Sequence, residues 1–275
     1  MAREIVVHRL NTGWLESPPG VRFFGEGRGM VPPPDTVLVP APAWYIEGAG
    51  PRILVDTGTG DAAEIAAAQG RYGIVREART GPEDDIVARL AAIGVAPGDV
   101  DIVIQTHLHF DHIAGNERFP NARFLIHHLE LPWALCPPRW AETYYLPDYS
   151  GRVRAVLDQV DLVTTDTRQV TPEIRMVHTG GHSPGHCAVF VETALGRVAI
   201  AGDAAFNYSN VEHSWPQGVM FDVSGAVRAL EIVRGADVIL LNHDPRFDEL
   251  FPGDRVGDAP LAPATAEYMR RLRTP

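Results

Sequence analysis

The chain has 275 residues, 45% of them hydrophobic and 21% charged, a composition typical of globular proteins that excludes a largely disordered chain. Its formal net charge of −11 argues against the basic surface that nucleic-acid binding requires, so we expect no nucleic-acid partner. No segment approaches the roughly 20 apolar residues of a membrane span, and two cysteines fit a reducing compartment, so we expect a cytoplasmic protein without a membrane partner.

Short apolar and β-branched runs, bounded by turn residues, predict strands along most of the chain. They cover residues 4–8, 37–39, 44–47, 52–55, 101–105, 122–127, 159–163, 173–178, 187–192, 197–201 and 238–241. Apolar residues that share a helical face predict helices at 61–69, 84–93, 222–234 and 263–273. Residues 11–34 and 132–150 are predicted to be irregular, and both segments contain several aromatic residues. This order predicts a mixed α/β fold in a single domain over residues 1–275.

Seven residues of the metal-ligand type follow one another along the chain. They are His107, His109, Asp111, His112, His182, Asp203 and His243. Neutral imidazoles and carboxylates suit zinc, iron or manganese. Seven ligands are too many for one tetrahedral site, but they are enough for two metals that share a carboxylate. Such a centre generates a nucleophilic hydroxide at neutral pH, so the sequence predicts a metal-dependent hydrolase.

The position of these residues relative to the predicted strands supports a shared site. His107 follows the strand at 101–105, Asp203 follows 197–201 and His243 follows 238–241. Because ligands in α/β proteins gather at the carboxyl ends of strands, we expect these side chains to converge. The remaining histidines are interpreted as surface or packed residues: His8, His127, His128, His178, His186 and His213.

The order of these motifs is similar to that of a known family. The matching segments are residues 55–58, 107–112, 181–186 and 202–203, followed by His243. On these segments the sequence resembles the metallo-β-lactamase superfamily. The resemblance implies an αββα sandwich, in which two mixed β-sheets are flanked by helices and a two-metal site lies at one edge of the sheets.

The resemblance also implies a role for each ligand. One metal would be bound by three histidines, the other by two histidines and an aspartate, and a second aspartate would bridge them. By position, the first metal would be bound by His107, His109 and His182. The second would be bound by Asp111, His112 and His243, and Asp203 would be the bridge. Asp56 would orient one of the ligands. We expect two divalent ions, zinc first, with manganese, iron or cobalt also compatible with the ligands.

Within the superfamily, the His-Leu-His-Phe-Asp-His motif is most similar to that of N-acyl homoserine lactonases, which are quorum-quenching enzymes. Those enzymes usually have a tyrosine three residues after the bridging aspartate, and its hydroxyl contacts the substrate. Here that position is Phe206, so Tyr208, two residues further on, is the candidate replacement. Asp111 is the candidate that passes a proton to the leaving oxygen.

The predicted function is therefore hydrolytic opening of an N-acyl homoserine lactone or related cyclic ester by a hydroxide shared between two metals. The aromatic segments 14–30 and 133–149 line a pocket for a hydrophobic substrate, pack against the sandwich or build a homodimer interface. Two alternatives stay open. One is hydrolysis of another ester, thioester or amide, as in hydroxyacylglutathione hydrolases, and the other is a non-catalytic protein that binds a lactone or a metal.

Overall fold

The computed structural model describes residues 4–29 and 34–274, and within them the strands form two sheets. The strands of the first sheet are β1 (Val6–Ser17), β2 (Val37–Glu47), β3 (Ile53–Val55), β4 (Ala78–Arg79), β5 (Ile102–Ile104), β6 (Arg123–His127), β7 (Val160–Val163) and β13 (Arg255–Val256). Their order is β13-β1-β2-β3-β5-β6-β7, with β4 beside β1. The strands of the second sheet are β8 (Thr167–Thr171), β9 (Ile174–His178), β10 (Cys187–Thr193), β11 (Gly196–Ile200) and β12 (Val238–Leu240). Both sheets mix parallel and antiparallel pairs.

Short helices connect and cover the sheets. In the described ranges they are α1 (Pro19–Arg22), α2 (Ala62–Gly70), α3 (Ile86–Ala92), α4 (Phe110–Ile113), α5 (Leu131–Leu135), α6 (Glu142–Tyr145), α7 (Ser150–Arg154), α8 (Tyr208–Glu212), α9 (Val223–Arg234), α10 (Phe247–Leu250) and α11 (Pro263–Leu272). Asp61 and Asp222 begin α2 and α9 by accepting hydrogen bonds from backbone N–H groups of the first turn. In the two described stretches, no helix has the length and apolarity needed to cross a bilayer.

Side-chain alternation on the central strands produces the layers. Ile53 and Val55 of β3 pack toward the second sheet, whereas Leu54 between them packs toward α2 and α3. β5 repeats the pattern, which explains why both strands are continuous apolar runs rather than alternating ones. Helices α9 and α11 cover the far side of the second sheet. The predicted αββα sandwich of two mixed sheets is confirmed.

Some predicted boundaries are wrong. The segment 11–34 was expected to be a loop, but β1 continues to Ser17, and residues 30–33 lie outside the described ranges. The strands predicted at 37–39 and 44–47 are a single strand, β2. Both errors arise at one irregularity between Asn11 and Trp14, where Gly13 has φ +145° and two prolines of β2 oppose the register shift.

Two further segments differ from the prediction. Strand β8 was missed, because its polar sequence from Thr167 to Thr171 has no continuous apolar run. The segment 132–150, expected to be irregular, contains the short helices α5 and α6 and the start of α7. These helices pack their buried side chains on the outer face of the first sheet, so tertiary contacts order a segment that has little helical periodicity of its own.

Candidate metal centre

Strands of both sheets end at the same edge of the sandwich. β5 leads into His107, and the adjacent parallel strand β3 leads into Asp56. In the second sheet, β11 and β12 run parallel with Ile200 opposite Leu240. The loops that follow them therefore emerge side by side and bring Asp203 next to His243. The convergence that the strand order predicts arises from this parallel pairing.

Three histidines form the first cluster. His182 Nε2 lies 3.2 Å from His107 Nε2 and 3.0 Å from His109 Nδ1. One carboxylate oxygen of Asp203, Oδ2, lies 3.3 Å from His182 Nε2 and 3.7 Å from His107 Nε2. All four side chains are buried, so their polar atoms face one another rather than water.

The second cluster uses the other oxygen of the same carboxylate. Asp203 Oδ1 lies 3.3 Å from His243 Nε2 and 3.5 Å from His112 Nε2. Asp111 Oδ2 completes the group, 3.6 Å from His243 Nε2 and 3.9 Å from His112 Nε2. Asp203 therefore faces both clusters, with one oxygen toward each.

The state of these groups fits divalent cations. Burial and the neighbouring imidazoles hold the pKa of His107 and of His109 well below the usual range, so both rings are neutral and have a free lone pair. Burial raises the pKa of Asp203, but the nearby imidazoles outweigh this effect and hold that pKa well below its usual range. Among the described residues, the buried atoms His112 Nε2 and Asp203 Oδ1 have no hydrogen-bond partner. Burial lowers the pKa of His112 and of His243, but the nearby carboxylates, chiefly Asp203, outweigh this effect and raise both. A cation in the second cluster would therefore displace the protons that these two imidazoles hold without it.

Two cavities meet at the clusters. The first is a cleft of about 650 Å³, partly open to solvent, that reaches Asp111, Asp203 and His243, and its apolar walls include Leu15, Val21, Val39, Ile65, Phe110 and Phe206. The second, also partly open, has a volume of about 270 Å³, and its walls include Trp133, Trp140, Tyr145, Pro184, Met220 and Phe221. Four residues line both cavities: His109, Tyr144, His182 and Val219. Of the two aromatic segments, 133–149 therefore contributes four rings to the cavities, those of Trp133, Trp140, Tyr144 and Tyr145.

Residues 36–243, most of the chain, match the family described as the metallo-beta-lactamase superfamily. The chain belongs to the metallo-β-lactamase superfamily. Its relatives include the N-acyl homoserine lactonase AiiA of Bacillus thuringiensis subsp. kurstaki, 30% identical over 220 residues that cover 75% of this chain and 83% of the relative. The N-acyl homoserine lactonase AttM of Azorhizobium caulinodans is 26% identical over 225 residues, covering 75% and 82%.

Solved structures share the same fold. An N-acyl homoserine lactone hydrolase with N-hexanoyl-L-homoserine bound at its catalytic metal centre superposes with a TM-score of 0.71. The match covers 90% of this chain and 96% of the other, at 24% identity. AidC, described as a dizinc quorum-quenching lactonase, gives a TM-score of 0.69 at 16% identity over 92% of this chain and 90% of its own. The family match and the relatives identify the chain as a lactonase-like hydrolase of the metallo-β-lactamase superfamily.

Four of the five candidate ligand histidines have their second ring nitrogen held by the protein, an arrangement typical of metal sites. His112 Nδ1 lies 2.8 Å from Asp56 Oδ2, which also accepts a hydrogen bond from the Thr106 hydroxyl. The Thr106 N–H donates to the other oxygen of Asp56. Asp56 itself has a φ of +59°, a strained conformation that these buried bonds maintain. The contact with His112 matches the orienting role that the resemblance implied.

Replacing Asp56 with asparagine should weaken metal binding in the second cluster. All the groups that face this side chain donate hydrogen bonds, so the new amide nitrogen would leave one of them without an acceptor and release the His112 ring. We expect the affinity for the second equivalent of metal to fall about 10- to 100-fold, measured by chelator competition. Asp158→Asn, at an exposed position, is the control. Equal affinity in both variants would contradict the orienting role.

Two residues that sequence reasoning missed connect the ligand loops. Glu130 Oε1 accepts from the Leu108 N–H at 3.2 Å, and its Oε2 accepts from the Ser183 hydroxyl at 2.9 Å and the Gly185 N–H at 2.8 Å. His186, interpreted from the sequence as a surface or packed residue, is buried and its Nε2 accepts from the Asp203 N–H at 2.8 Å. A signal existed for Glu130, because it follows the predicted strand at 122–127 as the ligands follow theirs.

The proposed substitute for the missing tyrosine is contradicted by the structure. Tyr208 is fully buried, and its hydroxyl donates to the Ile239 carbonyl at 2.8 Å. As the first residue of α8, it points into the core against α11 rather than toward the metal centre. Phe206 does reach the site, with its ring centroid 5.0 Å from that of His243 and 5.7 Å from that of His182. Tyr208 cannot contact substrate from this position.

Proposed function

We propose that the chain opens the ring of an N-acyl homoserine lactone or a related hydrophobic cyclic ester by hydrolysis. The observation that supports this most directly is the position of Asp203, which faces two clusters of ligands at the floor of largely apolar cavities. The names of the relatives AiiA and AttM supply the substrate class. The cavity walls combine apolar residues with polar groups, a mixture that suits a lactone with an acyl chain.

We infer that the clusters hold two divalent ions. His107, His109 and His182 would bind the first, Asp111, His112 and His243 the second, and Asp203 both. Bound there, the ions supply Lewis acidity and lower the pKa of water. Zinc is the first choice, and the nitrogen and oxygen donors also suit manganese, iron or cobalt.

The chain's own residues position the substrate and move the proton. Asp111 is more exposed than Asp203, the other carboxylate at the clusters, because 12% of its side-chain surface is accessible. It also lines the first cavity. It is therefore placed to receive a proton from water and give it to the leaving oxygen. Phe206 and the apolar walls of the first cavity lower the polarity beside the clusters, which strengthens charge interactions there.

The test is proton release by the metal-loaded protein with a panel of acyl homoserine lactones, simple γ- and δ-lactones, an acyl-glutathione thioester, a β-lactam and a phosphodiester. We expect rapid opening of acyl homoserine lactones that is lost in His109→Ala. His213→Ala, a histidine at an exposed position, is the matched control and should keep full activity. Full activity of His109→Ala at saturating metal would refute the two-metal mechanism.

Phe206 keeps a second function open. Because the lactonases that the chain resembles usually have a tyrosine there, the absence of a hydroxyl makes another ester, thioester or amide the second candidate substrate. Turnover of another panel member, with acyl homoserine lactones untouched, would assign that function. Lactone binding without any turnover would instead assign a non-catalytic binding protein.

Trp140→Ala should raise KM for long-chain substrates if the second cavity binds an apolar group. Trp140 is 58% exposed and contacts Trp133 and Phe221 there, so its removal takes away apolar contact area. We expect a rise of about 10-fold, from the loss of about 1.5 kcal/mol of apolar burial, in steady-state kinetics. An unchanged KM with a dimer that dissociates more easily on size-exclusion chromatography would favour the homodimer interface instead.

A further inference from the structure

Ester hydrolysis places negative charge on the carbonyl oxygen and then on the leaving oxygen, and a hydrogen-bond donor aimed at either one accelerates the reaction. The metal centre is poor in such donors. Its imidazoles point their nitrogens at one another or at Asp203, and their other nitrogens mostly bond to the protein. A donor must therefore come from the cavity walls.

Three aromatic residues near the centre do not provide one. Phe206 has no hydroxyl, and Tyr208 donates its hydroxyl hydrogen to the Ile239 carbonyl. Tyr145 donates to Glu130 Oε1 at 2.8 Å inside the buried network. Ser17 and Thr143 line the first cavity but not the second, and in the described part of the chain the buried Ser17 hydroxyl has no hydrogen-bond partner.

Tyr144 is placed differently. It follows Glu142 and Thr143 in the single turn α6, and successive residues of a helix point about 100° apart. The hydrogen bond between Tyr145 and Glu130 holds one side of this turn in the core, so the neighbouring side chain of Tyr144 faces the cavities. The Tyr144 ring lies against His109, with centroids 5.7 Å apart and planes tilted by 33°. It lines both cavities, and its hydroxyl has no protein partner in the described part of the chain.

We propose that Tyr144 is a catalytic residue whose hydroxyl donates a hydrogen bond to the reacting oxygen of the ester group. This inference rests on the proposed function and deepens it. The residue lies where the cavities meet beside a candidate ligand, so a scissile group bound at the clusters comes within reach of the half-buried ring. The hydroxyl only strengthens its hydrogen bond as charge develops on the reacting oxygen, and no proton is transferred to or from it.

Tyr144→Phe removes the hydroxyl and keeps the ring. On whichever panel substrate the wild-type enzyme hydrolyses best, we expect kcat to fall at least about 10-fold with KM nearly unchanged. A phosphonate analogue of that substrate, which mimics the charged transition state, should bind more weakly by a similar factor in calorimetry, whereas the neutral lactam analogue should bind equally well. Tyr268→Phe, the same change at a residue that lines neither cavity, should change none of these values.

A rescue separates a hydroxyl from a structural role. Phe206 faces the clusters from the His182 and His243 side, so Phe206→Tyr in the Tyr144→Phe background returns a hydroxyl to the cavity. We expect kcat and phosphonate affinity to recover in part. The inference is overturned if Tyr144→Phe keeps kcat and phosphonate affinity within about 2-fold of wild type, or if its losses accompany reduced metal content or thermal stability.

The two proposals fail in different ways. Absence of turnover by the wild-type enzyme on every lactone would refute the proposed function. The difference in phosphonate affinity between wild type and Tyr144→Phe would still decide the role of Tyr144, because binding is measured without turnover. Turnover by wild type that Tyr144→Phe retains in full would refute only the role of Tyr144.

Discussion

Asp203→Asn should reduce kcat/KM by at least about 1,000-fold, the largest effect we expect from a single substitution. The side chain faces both clusters, with Oδ2 toward His182 and His107 and Oδ1 toward His243 and His112. Asparagine keeps the shape but has one oxygen, so one cluster would face an amide nitrogen that cannot ligate a cation. The protein should then retain about one metal per chain instead of two, measured by elemental analysis after gel filtration.

The control for this experiment is Asp166→Asn, which removes the same charge from a side chain that is 98% exposed. It should retain both metals and full activity. Two bound metals and near-normal kcat/KM in Asp203→Asn would contradict the bridging role. The fold should persist in either case, because the Asp203 N–H that bonds to His186 belongs to the backbone and is unaffected.

Glu130→Ala should lower the free energy of unfolding by about 3 kcal/mol or more and reduce metal affinity at the first cluster. Glu130 is fully buried, and its two oxygens accept four hydrogen bonds from two ligand loops and α6. Burial raises the pKa of Glu130, and the hydrogen bonds from these donors oppose that rise. Alanine leaves the buried donors without acceptors, so the loops that hold the first-cluster histidines lose their common attachment.

Urea unfolding of the metal-free and metal-loaded proteins measures both effects. Tyr145→Phe and Ser183→Ala each remove a single bond to Glu130, and each should cost about 1 kcal/mol. Glu192→Ala, a change at a largely exposed carboxylate, should cost little. A Glu130→Ala protein as stable as Glu192→Ala, with unchanged metal affinity, would show that the network does not hold the loops.

The sequence predicted the layers of the fold well because the central strands are encoded by residues that are adjacent in the chain. Runs such as 101–105 and 197–201 are short, apolar and β-branched, and no competing helical pattern overlaps them. Prediction failed where pairing partners decided the conformation. Strand β2 passes through Pro40 and Pro42, which oppose the irregularity in β1, so its continuity depends on a partner some 30 residues away. β8 is likewise a strand only because it pairs with β9.

For the candidate site, the sequence supplied the ligand types and their order. The spacing of His107, His109, Asp111 and His112 indicates metal binding without any tertiary information. The supporting groups were harder to find, since the importance of Glu130 and His186 comes from donors 15 to 55 positions away along the chain. The prediction for Tyr208 failed in the opposite way, because a residue outside the site was assigned to it. Its distance from Asp203 along the chain suggested a substitute for the missing hydroxyl, but the start of α8 turns it into the core.

The sequence by itself therefore determined the chemistry of the ligands and the strands that precede them, because residue type and local periodicity act over a few positions. Only the tertiary structure decided that Asp203 faces both clusters, that Glu130 joins two loops and that Tyr144, rather than Tyr208, lies beside His109. These arrangements depend on parallel strands that end together and on one helical turn held by a buried carboxylate. Contacts between distant segments set such geometry, and no local pattern in the chain encodes it.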